Sequence, residues 1–199
     1  MTEASVPAAA GHEENTDRLV SGIREHDPAA HAELCARYGR RLHRYLAGSL
    51  QGDRELAEDL MVQTLAETAR CIGRYDARRA TFTAWVFGIA RRLVQIERRR
   101  RNRRKSVPAS AQVSLDQLPE TLSPTDLETS LTESLEAQRH VARLRACLSE
   151  GEMEALVLHY VHQLSVQEIG AIIGRSGRAV ESLLHRAKTK ARERLTEDA

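Results

Sequence analysis

The stretch that decides the fold is SVQEIGAIIGRSGRAVESLLHRAKTKAR, residues 165–192. Ser165 and Glu168 have the spacing of a capping box, which predicts that a short helix begins there. Gly174 can make a tight turn, and Ser176 can cap a second helix. The pattern predicts a helix-turn-helix rather than an ordinary helical hairpin with a solvated basic face. The apolar positions of the two predicted helices are Ile169, Ile172, Ile173, Val180, Leu183, Leu184 and Ala187.

The second of these helices carries side chains suited to reading duplex DNA. In a helix-turn-helix the second helix enters the major groove with its N-terminal residues first. Arg178 can bind guanine with two hydrogen bonds, and Glu181 can accept one from cytosine. Lys190 and Arg192, further along, suit backbone phosphates. The predicted contacts of this helix with DNA are Ser176, Gly177, Arg178, Glu181, Ser182, His185, Arg186 and Lys188.

Upstream of this motif, the sequence predicts two further helices and then a linker. Ser149 and Glu152 form another capping box, and a preceding helix runs from about Glu133. The helix after Ser149 is expected to bury Met153, Leu156, Val157, Tyr160 and Val161. Residues 106–135 contain three prolines and only acidic charges, which predicts an extended, flexible acidic linker. The second helical domain is therefore placed at residues 136–199.

The pattern of residues 17–105 predicts a separate helical bundle. The tail before it, residues 1–16, is expected to be disordered. A first short helix should begin near Asp17, and Asp27 and Asp53 should cap the next two. The second helix should bury Leu34, Tyr38, Leu42, Tyr45 and Leu46, and the third Leu56, Leu60, Thr64, Leu65, Thr68 and Ile72, with Gly73 at its end. The fourth, from about Thr81, should bury Phe82, Val86, Ile89, Leu93 and Ile96.

The fourth helix brings the scarce aromatic residues together with a run of arginines. From Arg91 to Lys105 the chain has nine basic residues and one acid, although its net charge is only +2. Such a block favours a polyanion as partner. Trp85 is expected at the core or its edge. Phe87 lies off the apolar stripe and is predicted to be the surface aromatic.

Several functions receive no support from the composition. No run of about 18 apolar residues can span a membrane, and the first residues do not resemble a signal peptide. The three cysteines are far apart and are expected to be buried or partly buried thiols in a reducing cytoplasm. His31 and Cys35 have metal-ligand spacing but no companions. We therefore expect no metal, no cofactor and no enzymatic activity.

Two segments together resemble a known family. Residues 144–195 resemble region 4, and residues 57–101 resemble region 2, of bacterial sigma factors of the extracytoplasmic-function (ECF) group. The resemblance implies an all-α fold of two small domains, region 2 (residues 17–105) and region 4 (residues 136–199). It also implies promoter-specific initiation with core RNA polymerase, with region 4 reading the −35 element and region 2 melting and reading the −10 element.

The resemblance also assigns residues and partners. The partners would be promoter DNA, the β′ clamp helices and β flap of core polymerase, and an anti-sigma factor, without membrane insertion. Binding to core polymerase is expected at Glu58, Asp59, Met61, Val62 and Gln63. Recognition and melting of the −10 element are expected at Tyr75, Asp76, Arg78, Arg79, Thr81, Phe87, Arg91, Arg92, Gln95 and Arg99.

The sequence departs from the family pattern at positions that bear on these roles. Val62-Gln63 replaces the usual Gln-Glu, which removes a charge from the polymerase-binding helix. Ala179, Glu181 and Leu183 replace the usual recognition residues, so the −35 sequence is expected to be uncommon. The main alternative is a helix-turn-helix regulator that acts without core polymerase. A sigma-like protein that acts only through protein contacts is a further alternative.

Overall fold

The computed structural model describes residues 8–105 and 141–196, which are helical with short connections. The first unit contains four α-helices and a single 3-10 turn, Ile72–Arg74, after the third helix. The second unit contains a helical segment at residues 141–147, here α5, and a π-helical turn, Val157–Val161. The remaining helices are α1 (Ala8–Arg24), α2 (Pro28–Ser49), α3 (Arg54–Arg70), α4 (Phe82–Lys105), α6 (Glu150–Leu156), α7 (Val166–Ile173) and α8 (Gly177–Thr196).

The ends of the first-unit helices are fixed by short-range hydrogen bonds. The Asp27 carboxylate accepts from the backbone N–H of Ala29 at 2.9 Å, with Pro28 in the first turn of α2. Asp53 accepts from the Leu56 N–H at 3.2 Å and caps α3. Both predicted caps are confirmed. The predicted apolar faces of α2 and of the central part of α3 are also buried, although Leu56 and Leu65 are only half-buried.

The start of α1 differs from the prediction. The helix begins at Ala8, well before the Asp17 at which the sequence analysis places it and inside the tail expected to be disordered. Residues 8–10 are alanines, and alanine has the highest intrinsic helix propensity. Packing of Leu19, Val20 and Ile23 in the core then stabilises the C-terminal part of the helix.

The buried face of α4 is wider than the predicted stripe. Phe87 is fully buried, so the prediction that it is a surface aromatic is wrong. Its ring packs against those of Tyr45 and His162, with centroid distances of 5.4 and 5.0 Å. Ile96, predicted to be in the core, is 49% exposed, and Ile89 is only half-buried. The buried face is wider than predicted because α4 packs on two sides, against the first unit and against α7.

The second unit has the predicted helix-turn-helix. Ser149 with Glu152 and Ser165 with Glu168 form complete capping boxes. Gly174 adopts a left-handed conformation with φ of 68° at the end of α7, as the turn requires. Tyr160 and Val161 are exposed, contrary to prediction, and Ala155 and Leu158 are buried instead. The π-helical turn changes the angular step between residues there, so a 3.6-residue period does not hold.

The buried residues of the two units form one contiguous apolar cluster, which joins Phe87 on α4 to Leu158 and Ile169 of the second unit. The sequence predicts two units but not this contact. The predicted linker and the first residues of the helix expected from Glu133 lie outside the described ranges. Cys35 is exposed, contrary to prediction, whereas Cys71 and Cys147 are half-buried.

Candidate nucleic-acid interface

The outer face of α8 presents the predicted recognition residues to solvent. Ser176 Oγ accepts from the Ala179 N–H at 3.4 Å and begins the helix. Most of the predicted contacts are exposed and only Gly177 is half-buried. The opposite face packs in the core. The exposed residues are Ser176, Arg178, Glu181, Ser182, His185, Arg186 and Lys188.

A buried carboxylate anchors α8 to α6. Glu152 is 3% exposed and accepts from Lys190 Nζ at 2.9 Å, with Arg186 Nε at 3.6 Å. The hydrogen bond from Lys190, followed by those from Ser149, lowers the pKa of Glu152 from 4.5 to about 2. Lys190, for which the sequence analysis suggests a phosphate contact, therefore pairs with a carboxylate of its own unit. The ammonium group of Lys188 lies 5.4 Å from the centre of the Tyr160 ring.

The loop before α4 forms the second predicted contact region. The Asp76 carboxylate accepts from Arg78 Nε at 3.0 Å, and this hydrogen bond lowers the pKa of Asp76. The Arg78 side chain is otherwise 91% exposed, and Arg79 is also exposed. Tyr75 is half-buried and contacts the rings of Phe82 and Trp85. An open depression of about 460 Å³ lies between this loop and α1.

The basic block on α4 is partly neutralised by acids of the same chain. Arg92 pairs with Glu67 at 3.1 Å, and Arg101 pairs with Asp53 at 2.6 Å. Arg99, in contrast, is exposed near the C-terminal part of α4. Gln95 is half-buried on the same helix. The polyanion expected from the sequence would therefore meet fewer available cations than the nine basic residues imply.

Two of the residues predicted to contact the −10 element form polar contacts with the second unit. Arg91 Nε lies 2.9 Å from Glu154 Oε1, and Thr81 Oγ1 donates to Glu168 Oε1 at 2.7 Å. Glu154 was not identified from the sequence. No local spacing signals it, because its partners are more than 60 residues away in the chain, at Arg91 and Tyr45.

The predicted polymerase-binding residues lie on the solvent face of α3. Glu58, Asp59, Val62 and Gln63 are exposed, with Val62 at 61%, and Met61 is half-buried. An exposed valine is an apolar contact available to a protein partner. Within residues 8–105 and 141–196 no group of three or more His, Cys, Asp or Glu side chains could hold a metal ion. None of the helices described there is long and apolar enough to cross a membrane.

The geometry defines a helical protein with a helix-turn-helix face and a separate basic helix. Family models for Sigma-70 region 2 and Sigma-70 region 4 match residues 34–104 and 140–190. RNA polymerase sigma factor CarQ of Myxococcus xanthus is 32% identical, over 84% of this chain and 90% of CarQ. ECF RNA polymerase sigma factor ShbA of Streptomyces griseus is 33% identical, over 84% of this chain and 85% of ShbA.

The fold is shared with solved structures of low sequence identity. CnrH, in complex with the cytosolic domain of CnrY, has a TM-score of 0.63 and 23% identity, over 91% of this chain and 97% of CnrH. Bartonella quintana RpoE, in complex with the anti-sigma factor NepR, has a TM-score of 0.62 and 22% identity, over 84% of this chain and 98% of RpoE. The chain belongs to the ECF group of the sigma-70 family. It therefore serves in promoter-specific transcription initiation with RNA polymerase, as an initiation factor.

Proposed function

We propose that the exposed face of α8 reads the −35 element as duplex DNA. The observation that carries this proposal is the exposure of Arg178, Glu181, Ser182 and His185 on one face, while Val180 and Leu184 hold the other face in the core. Arg178 and Glu181 supply hydrogen bonds to base edges. Arg186 and Lys188, near the middle of the helix, supply charge to backbone phosphates.

The loop at residues 75–81 and the exposed side of α4 would melt and read the −10 element. Arg78 and Arg79 are exposed beside the half-buried Tyr75 ring, which supports a role in holding phosphate near an unstacked base. Arg99 lies further along α4, where it can continue the path of the backbone. Phe87 is fully buried and therefore has no face on which a base could stack.

The exposed face of α3 would bind the β′ clamp helices of core polymerase, and region 4 would reach the β flap. Val62 and the neighbouring Asp59 supply one apolar and one charged contact, although the usual glutamate is absent at Gln63. Regions 2 and 4 would correspond to residues 17–105 and 136–199, separated by the acidic linker. An anti-sigma partner is supported by the NepR complex of the structurally similar RpoE. We expect the chain to act in the cytoplasm beside the polymerase and to catalyse no reaction of its own.

Run-off transcription with core polymerase on genomic fragments tests the function. We expect a specific start site that requires this chain. Arg178→Ala and Glu181→Ala should each change preference at one −35 position, with a cost of about 1–3 kcal/mol. Arg99→Ala and Arg100→Ala should instead weaken binding across sequences and reduce its salt dependence, because they remove phosphate contacts.

A helix-turn-helix regulator that acts without core polymerase would give different binding and transcription results. Such a protein would bind its duplex site without polymerase and would direct no start site when core polymerase is added. That result would overturn the sigma assignment of these surfaces. If all four arginine and glutamate substitutions altered one base preference alike, the division between base and phosphate contacts would be wrong.

A further inference from the structure

The open depression beside the loop before α4 has one wall that comes from α1. Its volume of about 460 Å³ lies within the range of roughly 300–1,000 Å³ that is typical of small-ligand sites. Asp17, Val20 and Arg24 of α1 line one side, and residues 73–78 line the other. Because α1 precedes residues 34–104, the segment that the Sigma-70 region 2 model matches, this wall is a contribution from outside the matched segment.

Hydrogen bonds hold both sides of the depression in place. Arg24 Nη2 donates to the Tyr75 carbonyl at 3.3 Å, which ties α1 to the loop. Within the loop, the Asp76 carboxylate accepts from the Arg78 backbone N–H at 3.0 Å and from Arg78 Nη2 at 3.1 Å. A site that is already formed has less conformational freedom to lose when it binds a ligand.

The Tyr75 side chain provides an aromatic surface in the lining. Its ring is held by the rings of Phe82 and Trp85, at centroid distances of 5.2 and 5.4 Å. Burial, followed by the nearby charge of Asp17, raises the pKa of Tyr75, so the Asp17 carboxylate lies close to a phenol that stays protonated. Bases that leave the duplex stack on aromatic rings of this kind. The depression therefore combines a stacking surface with a neighbouring carboxylate.

The charged groups of the lining differ in what they can bind. Arg24, Arg74 and Arg78 are exposed and suit the phosphates on either side of a captured base. Of the two carboxylates in the lining, Asp76 is held by Arg78, whereas Asp17 is exposed. Asp17 is therefore the acceptor that a captured base would meet.

An acceptor at this place distinguishes among the four bases. An ionised carboxylate accepts hydrogen bonds and donates none. Adenine, cytosine and guanine each carry an amino group that can donate to it, whereas thymine carries carbonyl oxygens, which repel it. We propose that Asp17 selects a captured −10 base that carries an amino group and rejects thymine. This proposal rests on the function proposed for the loop at residues 75–81.

The test uses holoenzyme assembled from the full chain and core RNA polymerase. A promoter found by run-off transcription would be remade with each of the four bases at each −10 position. With the wild-type chain, we expect thymine at one position to give a run-off yield about five- to tenfold below that of the other bases. The amide of Asp17→Asn can donate to thymine O4, so its yield with thymine should come within about twofold of the others.

Glu25→Gln is the matched control for this substitution. It makes the same change of charge at an exposed residue that directly follows α1 and lies outside the lining. We expect this variant to keep the base preference of the wild-type chain. Because all chains are compared on the same templates, differences in duplex stability cancel. Circular dichroism would check that each variant is folded.

A second variant fills the depression without a change in charge. Ala77 is exposed in the lining, so Ala77→Phe would place a ring in the space proposed for the base. Ala77→Ser leaves most of that space open. We expect Ala77→Phe to lower the run-off yield about tenfold relative to Ala77→Ser, whichever base is present, because stacking of the captured base is lost.

The outcomes separate this proposal from the function on which it rests. Failure of the wild-type chain to direct run-off transcription would contradict the function. With run-off intact, an unchanged response to thymine in Asp17→Asn, or the same change in Glu25→Gln, would overturn the role of Asp17. A change at several −10 positions alike would also contradict it, because one depression takes one base. Equal yields from Ala77→Phe and Ala77→Ser would show that no base enters the depression.

Discussion

Gly170 lies where the end of α7 approaches the turn into α8. A β-carbon at this position would lie 2.7 Å from the carbonyl oxygen of Arg175, which is backbone and cannot move aside cheaply. The Arg175 N–H also donates to the Gly170 carbonyl at 3.0 Å. We expect Gly170→Ala to lower the free energy of unfolding by about 1–3 kcal/mol, measured by urea denaturation, because the turn must open.

Gly151 in α6 provides the matched control for this prediction. A β-carbon there would lie 3.9 Å from Leu183 Cδ2, an ordinary contact distance. Gly151→Ala should leave the free energy of unfolding unchanged or raise it by up to about 1 kcal/mol, because alanine is the better helix former. Equal losses in the two variants would show that the close approach at Gly170 does not determine the cost.

At the residue scale, local features could be predicted and distant contacts could not. The caps at Asp27 and Ser165 and the left-handed turn at Gly174 depend on a few neighbouring residues, and the structure confirms them. The burial of Phe87 cannot be predicted in this way, because its ring packs against His162, which is far away in the sequence. The roles of the predicted DNA contacts stay predictions, although their exposure on α8 agrees with them.

At the scale of helices, the Glu152–Lys190 pair fixes the position of α8. The pKa of Glu152 in the folded chain, about 2, lies below its ordinary value of 4.5. Its stabilisation is therefore complete above pH 4.5 and is lost as the pH falls toward 2. At neutral pH we expect Glu152→Gln to lower the free energy of unfolding by about 1–3 kcal/mol, a range that allows for the partly exposed lysine.

Chemical denaturation at several pH values would measure the contribution of Glu152 to the free energy of unfolding. The difference between the wild-type chain and Glu152→Gln should shrink between pH 4.5 and about 2, as the carboxylate takes up its proton. Lys190→Met alone and combined with Glu152→Gln would complete a double-mutant cycle, and the coupling should exceed about 0.5 kcal/mol. A pH-independent difference would mean that Glu152 acts through its shape and not its charge.

The helices themselves were easier to predict than the faces they bury. Periodicity located α2 and the helix-turn-helix, because each buries one side. It does not predict the buried face of α4, because the second unit covers a further side of this helix, while Ile96 on the predicted stripe is exposed. It also failed at Tyr160, because the π-helical turn breaks the regular angular step. Both errors arise where tertiary contact or an irregular turn overrides the local pattern.

For the whole molecule, His162 makes stability depend on pH through the contact between the units. Burial, followed by the charges of Arg41 and Arg44, lowers the pKa of His162 from 6.5 to about 4. The unfolded chain then binds the proton first, so stability should fall as the pH drops from about 6.5 toward 4. We expect the His162→Phe chain to lose on the order of 1–2 kcal/mol less over that range.

Urea denaturation at pH 7, 5.5 and about 4 would measure the difference. Between pH 6.5 and 4.5 only His162 of these two groups changes its protonation, so this part of the range separates its effect from that of Glu152. Identical pH dependence of the wild-type chain and His162→Phe would show that the proton on His162 is not linked to folding. A variant that is unstable at every pH would report lost packing instead, and the slope with pH would still distinguish the two causes.

The sequence predicted two helical units and the class of protein, but not how the units meet. Tyr45 and Glu154 are separated by more than 100 residues, and their contact depends on the shapes of two completed surfaces. No periodicity or capping motif carries that information. The contact is also the reason that Arg91, predicted as a ligand of DNA, lies beside a carboxylate.

Trp85 gives the molecule an internal optical reporter. It is the only tryptophan of the chain, and its ring lies 5.4 Å from that of Tyr75 and 5.8 Å from that of Phe82. Because the indole is half-buried beside the loop that precedes α4, its emission depends on the water and rings around it. Movement of that loop can therefore be followed in the unlabelled protein by intrinsic fluorescence, during mixing with nucleic acid or polymerase.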